Sequence, residues 1–150
     1  MVAISALWWA FAVGDDDGGL RALEAASAEL RTRLAFSPYS PEHLLHIAGL
    51  ILVAVGSHEV VHDPVHHLDW DVATTLSAGA TVFLLAQALF RSTLGAGPVR
   101  VHVAAAVLVL VVTPVGVLVS GVVQPACVVI VLVGATAVRQ RLTSDERIAA

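Results

Sequence analysis

His58-Glu59-Val60-Val61-His62 carries the sharpest chemical pattern in the chain. On a helix, residues four apart stand one above the other, so two imidazoles could share an ion while the intervening carboxylate takes a proton from metal-bound water. Zinc suits such ligands, and hydrolysis is the reaction they serve. Pro64 should stop the helix just after His62, so a third ligand would have to come from His66, His67, Asp69 or Asp71 in the following loop. Nothing in the spacing fixes the geometry of that loop. With Asp63 included, the same residues read as a solvated loop whose histidines gain charge below about pH 6.5. That reading is preferred, with metal capture at His58, His62, His66 and His67 as the alternative and a metal-dependent hydrolase as its extreme form.

A second set sits where apolar runs begin or end. Glu42, His43 and His46 open one run, Glu59 lies near its close, and Gln87 falls inside the next. Ionisable groups at membrane depth are functional hypotheses by default, because desolvating them is costly. His43, His46, Glu59 and Gln87 are therefore the candidates for an ion pathway or for buried polar contacts. His43 and His46, three apart, are expected on one helix face, where side chains near a helix end also reach the interface. Gln87 suits an interhelical hydrogen bond, and Gly116-x-x-x-Ser120 suits close helix packing. No nucleophile motif, phosphate loop or cofactor fingerprint is present. The chain thus reads as non-enzymatic, with no cofactor outside the zinc alternative.

The elements that must hold these residues are apolar. Of 150 residues, 57% are apolar and 13% charged, with a mean hydropathy of +0.84. Ordinary soluble domains carry about 25% charged residues, so the lipid bilayer is the expected partner and solvent. A formal charge of −4 gives no basic footprint for nucleic acid. The lone Cys127 excludes an intramolecular disulfide and a thiolate zinc centre.

Residues 101–138 contain no formal charge and as one helix would extend about 57 Å, well beyond a hydrocarbon core of about 30 Å. They must fold back, with Ser120-Gly121 at the turn, Pro125 opening the next helix and Pro114 kinking the first. Residues 72–90 form another span. The stretch 43–61 is short between its two glutamates, but counting it as a span places all eight arginines on one side: Arg21, Arg31, Arg33, Arg91, Arg100, Arg139, Arg141 and Arg147. That side is then cytoplasmic.

The expected fold is all-α, a polytopic transmembrane helical bundle with four complete spans (43–61, 72–90, 101–119, 123–138) and a partial N-terminal segment. Residues 1–13 are an apolar aromatic anchor or the end of a longer helix, in preference to a signal peptide, since no basic residues precede the apolar run. Residues 14–42 form a cytoplasmic loop with an amphipathic helix at Leu20, Leu23, Leu30 and Leu34. Asp15-Asp16-Asp17 is an acidic solvated turn. Residues 43–138 are the membrane domain, and 139–150 a cytoplasmic tail.

Leu7-Trp8-Trp9-Ala10, Tyr39-Ser40 with His43, Gly49 and Gly56, and Leu84-Leu85-Ala86-Gln87 through Phe90-Arg91 resemble the C-terminal part of the bacterial low temperature requirement A family. The resemblance implies a multi-pass protein of the bacterial inner membrane associated with growth in the cold. It also implies N-terminal helices that this chain lacks, so missing helices or a homo-oligomer are expected partners. Phe11, Ala12 and Val13 depart from the family's tyrosine, phenylalanine and acid after the tryptophans. Glu59 and Pro64 agree with an acid and a later proline near Gly56, whereas His58 and His62 do not belong to the pattern, which turns the reading away from a metalloprotease.

Overall fold

The computed structural model describes Ser27, residues 41–94 and residues 98–149. It places there four helices, α1 (Pro41–His62), α2 (Trp70–Leu94), α3 (Val99–Leu118) and α4 (Val123–Ala149), and no strand among the described residues. Each helix contains a stretch long and apolar enough to cross a membrane. The expected all-α bundle of four spans is therefore the observed one. The aromatic segment at 1–13, the acidic turn at 15–17, the leucine-spaced stretch over 20–34 and Tyr39-Ser40 lie outside the described residues.

Helix limits follow from local chemistry. Pro41 supplies a helix-ready φ at the first position of α1. At its end, the Asp63 amide still donates to the Glu59 carbonyl at 3.0 Å before Pro64 interrupts the pattern. The 22 residues of α1 reach about 33 Å, a full span, because Glu42 and Glu59 both lie inside the helix near its two ends. α3 runs through Pro114 to Leu118, and Pro125 falls in the first turn of α4, as the hairpin requires. α4 contains the span expected over 123–138 and continues to Ala149, with its apolar stretch ending at Leu142. No glycine or proline follows Arg139, so nothing local stops the helix there.

Within the described residues α2 is the central helix: 56% of its span is buried inside the protein, against 22%, 33% and 28% for α1, α3 and α4. α1 and α2 approach backbone to backbone. A Cβ placed on Gly79 would stand 2.6 Å from the Val53 nitrogen, and one on Gly49 2.8 Å from the Gly79 carbonyl oxygen. Lipid tails are as apolar as leucine, so helices in a bilayer associate through such close packing rather than through a hydrophobic drive. Val53, Leu76, Ala80, Phe83, Val109 and Leu132 form the core, while Ile51, Val55, Leu110, Val111 and Ile130 face outward. This outward apolar coat suits hydrocarbon, not water.

The two ends of the bundle differ. At one, the 63–69 loop is tied to the α3–α4 turn: the Gly121 amide donates to the His66 carbonyl at 2.7 Å, Val122 to Pro64 at 3.0 Å, and Leu68 to Gly116 at 3.0 Å. The other end carries the start of α1, the end of α2, the start of α3, and Arg91, Arg100, Arg139 and Arg141. The arginine sorting expected from the loops is thus reproduced for these four.

Candidate functional site

His46 projects from the second turn of α1 into the packed face of that helix, which repeats every three or four residues as His46, Gly49, Val53, Gly56 and Val60. It is buried, and its Nε2 lies 2.9 Å from Oε1 of the buried Gln87 on α2. The Nδ1 atom is 2.8 Å from the Glu42 carbonyl, one turn back on α1. The Phe83 ring meets the imidazole edge to face, with centroids 5.0 Å apart and planes at 85°. These contacts close around the ring and fix its orientation.

The hydrogen-bond chemistry restricts what the pair can do. A backbone carbonyl only accepts, so Nδ1 carries a hydrogen in every protonation state that keeps this contact. With the ring neutral, Nε2 accepts and Gln87 must present its amide nitrogen; with the ring protonated, Nε2–H donates to Gln87 Oε1. The Gln87 amide carries both an acceptor oxygen and a donor nitrogen, so either form of the ring can find a partner in it.

Other polar groups share this depth. His46, His102 and Arg139 each stand sixteen residues from the opposite end of their helix and Gln87 seventeen, so all four lie about 24 to 26 Å from that end. Arg91 follows Gln87 by one turn on α2. His46, Gln87, Arg91, His102, Thr136 and Arg139 are all buried. Glu42 stands at the mouth, with the Thr93 hydroxyl 3.4 Å from its Oε1. The result is a buried polar layer, rich in titratable and cationic groups, beneath the arginine-bearing end.

A separate polar clamp holds the opposite half. Gln124 at the start of α4 donates its amide to the Ala73 carbonyl at 2.8 Å and to Ser77 Oγ at 2.9 Å, both on α2. Gly116 makes room for this side chain, since a Cβ there would collide with Gln124 Oε1. Arg91, His102, Arg139 and Gln124 were not among the residues expected at a site. Arg91 could have been found from its four-residue spacing after Gln87; for His102 and Arg139 no local signal distinguishes a buried side chain from an interfacial one.

The remaining candidates disperse. His43 is exposed while His46 is buried, because three residues advance 300° around a helix and the packed face of α1 is too narrow to include both. Glu59 is exposed at the far end of α1. His58 and His62 do share a helix face, with ring centroids 4.8 Å apart, and both are exposed. His66 Nδ1 lies 3.3 Å from Asp63 Oδ2 with both side chains in the open, and His67 is exposed as well. Among the described residues, no group of three His, Cys, Asp or Glu side chains converges as a metal site would require.

Residues 1–137 match the profile of the family described as bacterial low temperature requirement A protein. No curated protein and no solved structure gives a match.

Proposed function

The chain belongs to the bacterial low temperature requirement A family and is a multi-pass membrane protein, and from that premise we propose that it is a non-enzymatic, carrier-like component in which His46 and Gln87 form a proton relay. The observation that carries this reading is the buried imidazole with both ring nitrogens facing oxygen atoms, Nδ1 toward Glu42 and Nε2 toward Gln87. Ionisable groups are rarely kept inside a bilayer without a proton, ion or partner to handle. In this reading Nε2 holds the relayed proton against Gln87 Oε1 while Nδ1 keeps its hydrogen on the Glu42 carbonyl. Arg91, His102 and Arg139 set the electrostatic field around the relay, and Glu42 marks its entry.

The membrane in question is the bacterial cytoplasmic membrane, with the arginine-bearing end and the C-terminus inside; the gathering of Arg91, Arg100, Arg139 and Arg141 at one end supports that orientation. The bilayer is the immediate partner, and further N-terminal helices or a second copy complete the bundle. Nucleic acid has no place in this reading, nor does a cofactor. The zinc alternative rests on two exposed ligands and gains no third from the described residues.

Growth at low temperature in a strain deprived of its own family member tests the proposal. His46→Ala and Gln87→Leu should fail to restore it, while His43→Ala and Glu59→Gln should restore it as the parent does. Full restoration by His46→Ala, at equal protein level, refutes the relay.

A further inference from the structure

We infer that the crevice between α3 and α4 holds an acyl chain of an anionic phospholipid, with Arg100 engaging its headgroup phosphate. The crevice has a volume of about 400 Å³ and is lined by Arg100, Ala104 and Leu108 on α3 and by Val131, Gly134 and Val138 on α4, among others. Arg100 is the one charged residue of the lining; the rest is apolar or glycine. A Cβ placed on Gly134 would meet nothing within 4 Å, so the groove is open at its centre.

The crevice runs along about 12 Å of helix from Arg100 to Leu108, between apolar walls of α3 and α4 that a single hydrocarbon chain can follow. The walls are apolar and face the membrane, which suits a lipid tail and gives a free phosphate ion nothing to bind below the headgroup level.

Charge selects the headgroup. Arg100 lies in the first turn of α3, exposed, at the end that also carries Arg91, Arg139 and Arg141. The ion pair of His66 with Asp63 is at the opposite end of the bundle, and Arg100 meets no carboxylate among the described residues. A guanidinium at the mouth of an apolar slot between two membrane helices is complementary to a lipid phosphate, which it can engage through two parallel N–H groups. Neither His46 nor Gln87 lines the crevice, so this inference stands apart from the proton relay.

Retained lipid on the purified full chain, counted by native mass spectrometry after titration with dioleoyl phosphatidylglycerol or dioleoyl phosphatidylcholine, tests it. The parent should retain phosphatidylglycerol in preference. Arg100→Gln should lower that preference about fivefold, the factor equivalent to the ~1 kcal/mol of one arginine near an anionic surface. Gly134→Leu, which fills the slot, should lower retention of both lipids, and inorganic phosphate should not displace the bound lipid. If Gly134→Leu lowers the thermal midpoint, Ala104→Leu on the facing helix serves as the second filling variant. Parent-like retention by Arg100→Gln or by the filling variants overturns the inference, as does displacement by phosphate. A filling variant that changes the oligomeric state also overturns it, since the slot would then hold a second copy.

Discussion

Gly79→Leu should separate the α1–α2 crossing and destabilise the bundle, and Gly134→Leu provides a built-in control. Both substitutions replace a mid-helix glycine and gain similar intrinsic helix propensity, roughly 0.8 kcal/mol. They differ in what the new side chain meets. At Gly79 the Cβ alone would come within 2.6 Å of the Val53 nitrogen and 2.8 Å of the Gly49 carbonyl oxygen, both backbone atoms that cannot rotate aside. The helices must part by most of an ångström even before the rest of the leucine is placed. A gap of that size forfeits about a quarter to a half of the dispersion at each contact along the crossing, and overpacking of a tight core costs about 1–3 kcal/mol. At Gly134 the Cβ meets nothing within 4 Å. Equilibrium unfolding in mixed micelles, with helicity and tryptophan fluorescence read together, should therefore put Gly79→Leu at least about 1 kcal/mol below Gly134→Leu, the low end of the overpacking cost. Equal stability of the two variants would refute the backbone-level contact between α1 and α2.

In the same unfolding assay, Gln87→Leu should cost about 0.6–2 kcal/mol, the range for an interhelical hydrogen bond in a membrane, and should couple to His46→Ala in a double-mutant cycle; strict additivity would mean the two side chains do not interact. Gln124→Leu removes two bonds to α2 and should cost about 1–3 kcal/mol, whereas Ser77→Ala removes one acceptor and should cost less; the reverse order would contradict the clamp. His66→Ala breaks only an exposed pair and should change stability by less than about 0.5 kcal/mol. Zinc content after dialysis should be the same for the parent and His58→Ala; a zinc equivalent lost in the variant would revive the metal reading. Reporter fusions should show residues 63–69 outside and the C-terminus inside, and the opposite pattern would invert the orientation.

Much of the architecture was legible because a bilayer imposes simple rules. The uncharged length of 101–138 demanded a hairpin, and Ser120-Gly121 with Pro125 located it, where the structure has the α3–α4 turn. The doubtful first span was secured by where the arginines fall, a signal independent of its own hydropathy. α4 contains the span expected over 123–138 and runs on beyond it, and Arg139 is buried there with polar company at the same depth. The candidate site was legible only in part. His46 and Gln87 are both chemically conspicuous in apolar runs, yet their pairing across 41 positions depends on helix rotation, which periodicity resolves poorly when nearly every residue is apolar. His43 and His46 illustrate the same weakness, since the narrow packed face of α1 is set by Gly49 and Gly56 meeting α2, a tertiary contact with no local signature.

Proton flux in proteoliposomes tests the relay most directly. The full chain would be reconstituted with pyranine trapped inside, a pH step applied outside, and the rate of internal pH change compared with that of protein-free vesicles. The account predicts a flux above the empty-vesicle rate that His46→Ala and Gln87→Leu abolish and that His43→Ala and Glu59→Gln leave intact. A parent rate equal to that of empty vesicles, or a His46→Ala rate equal to the parent's, would contradict it.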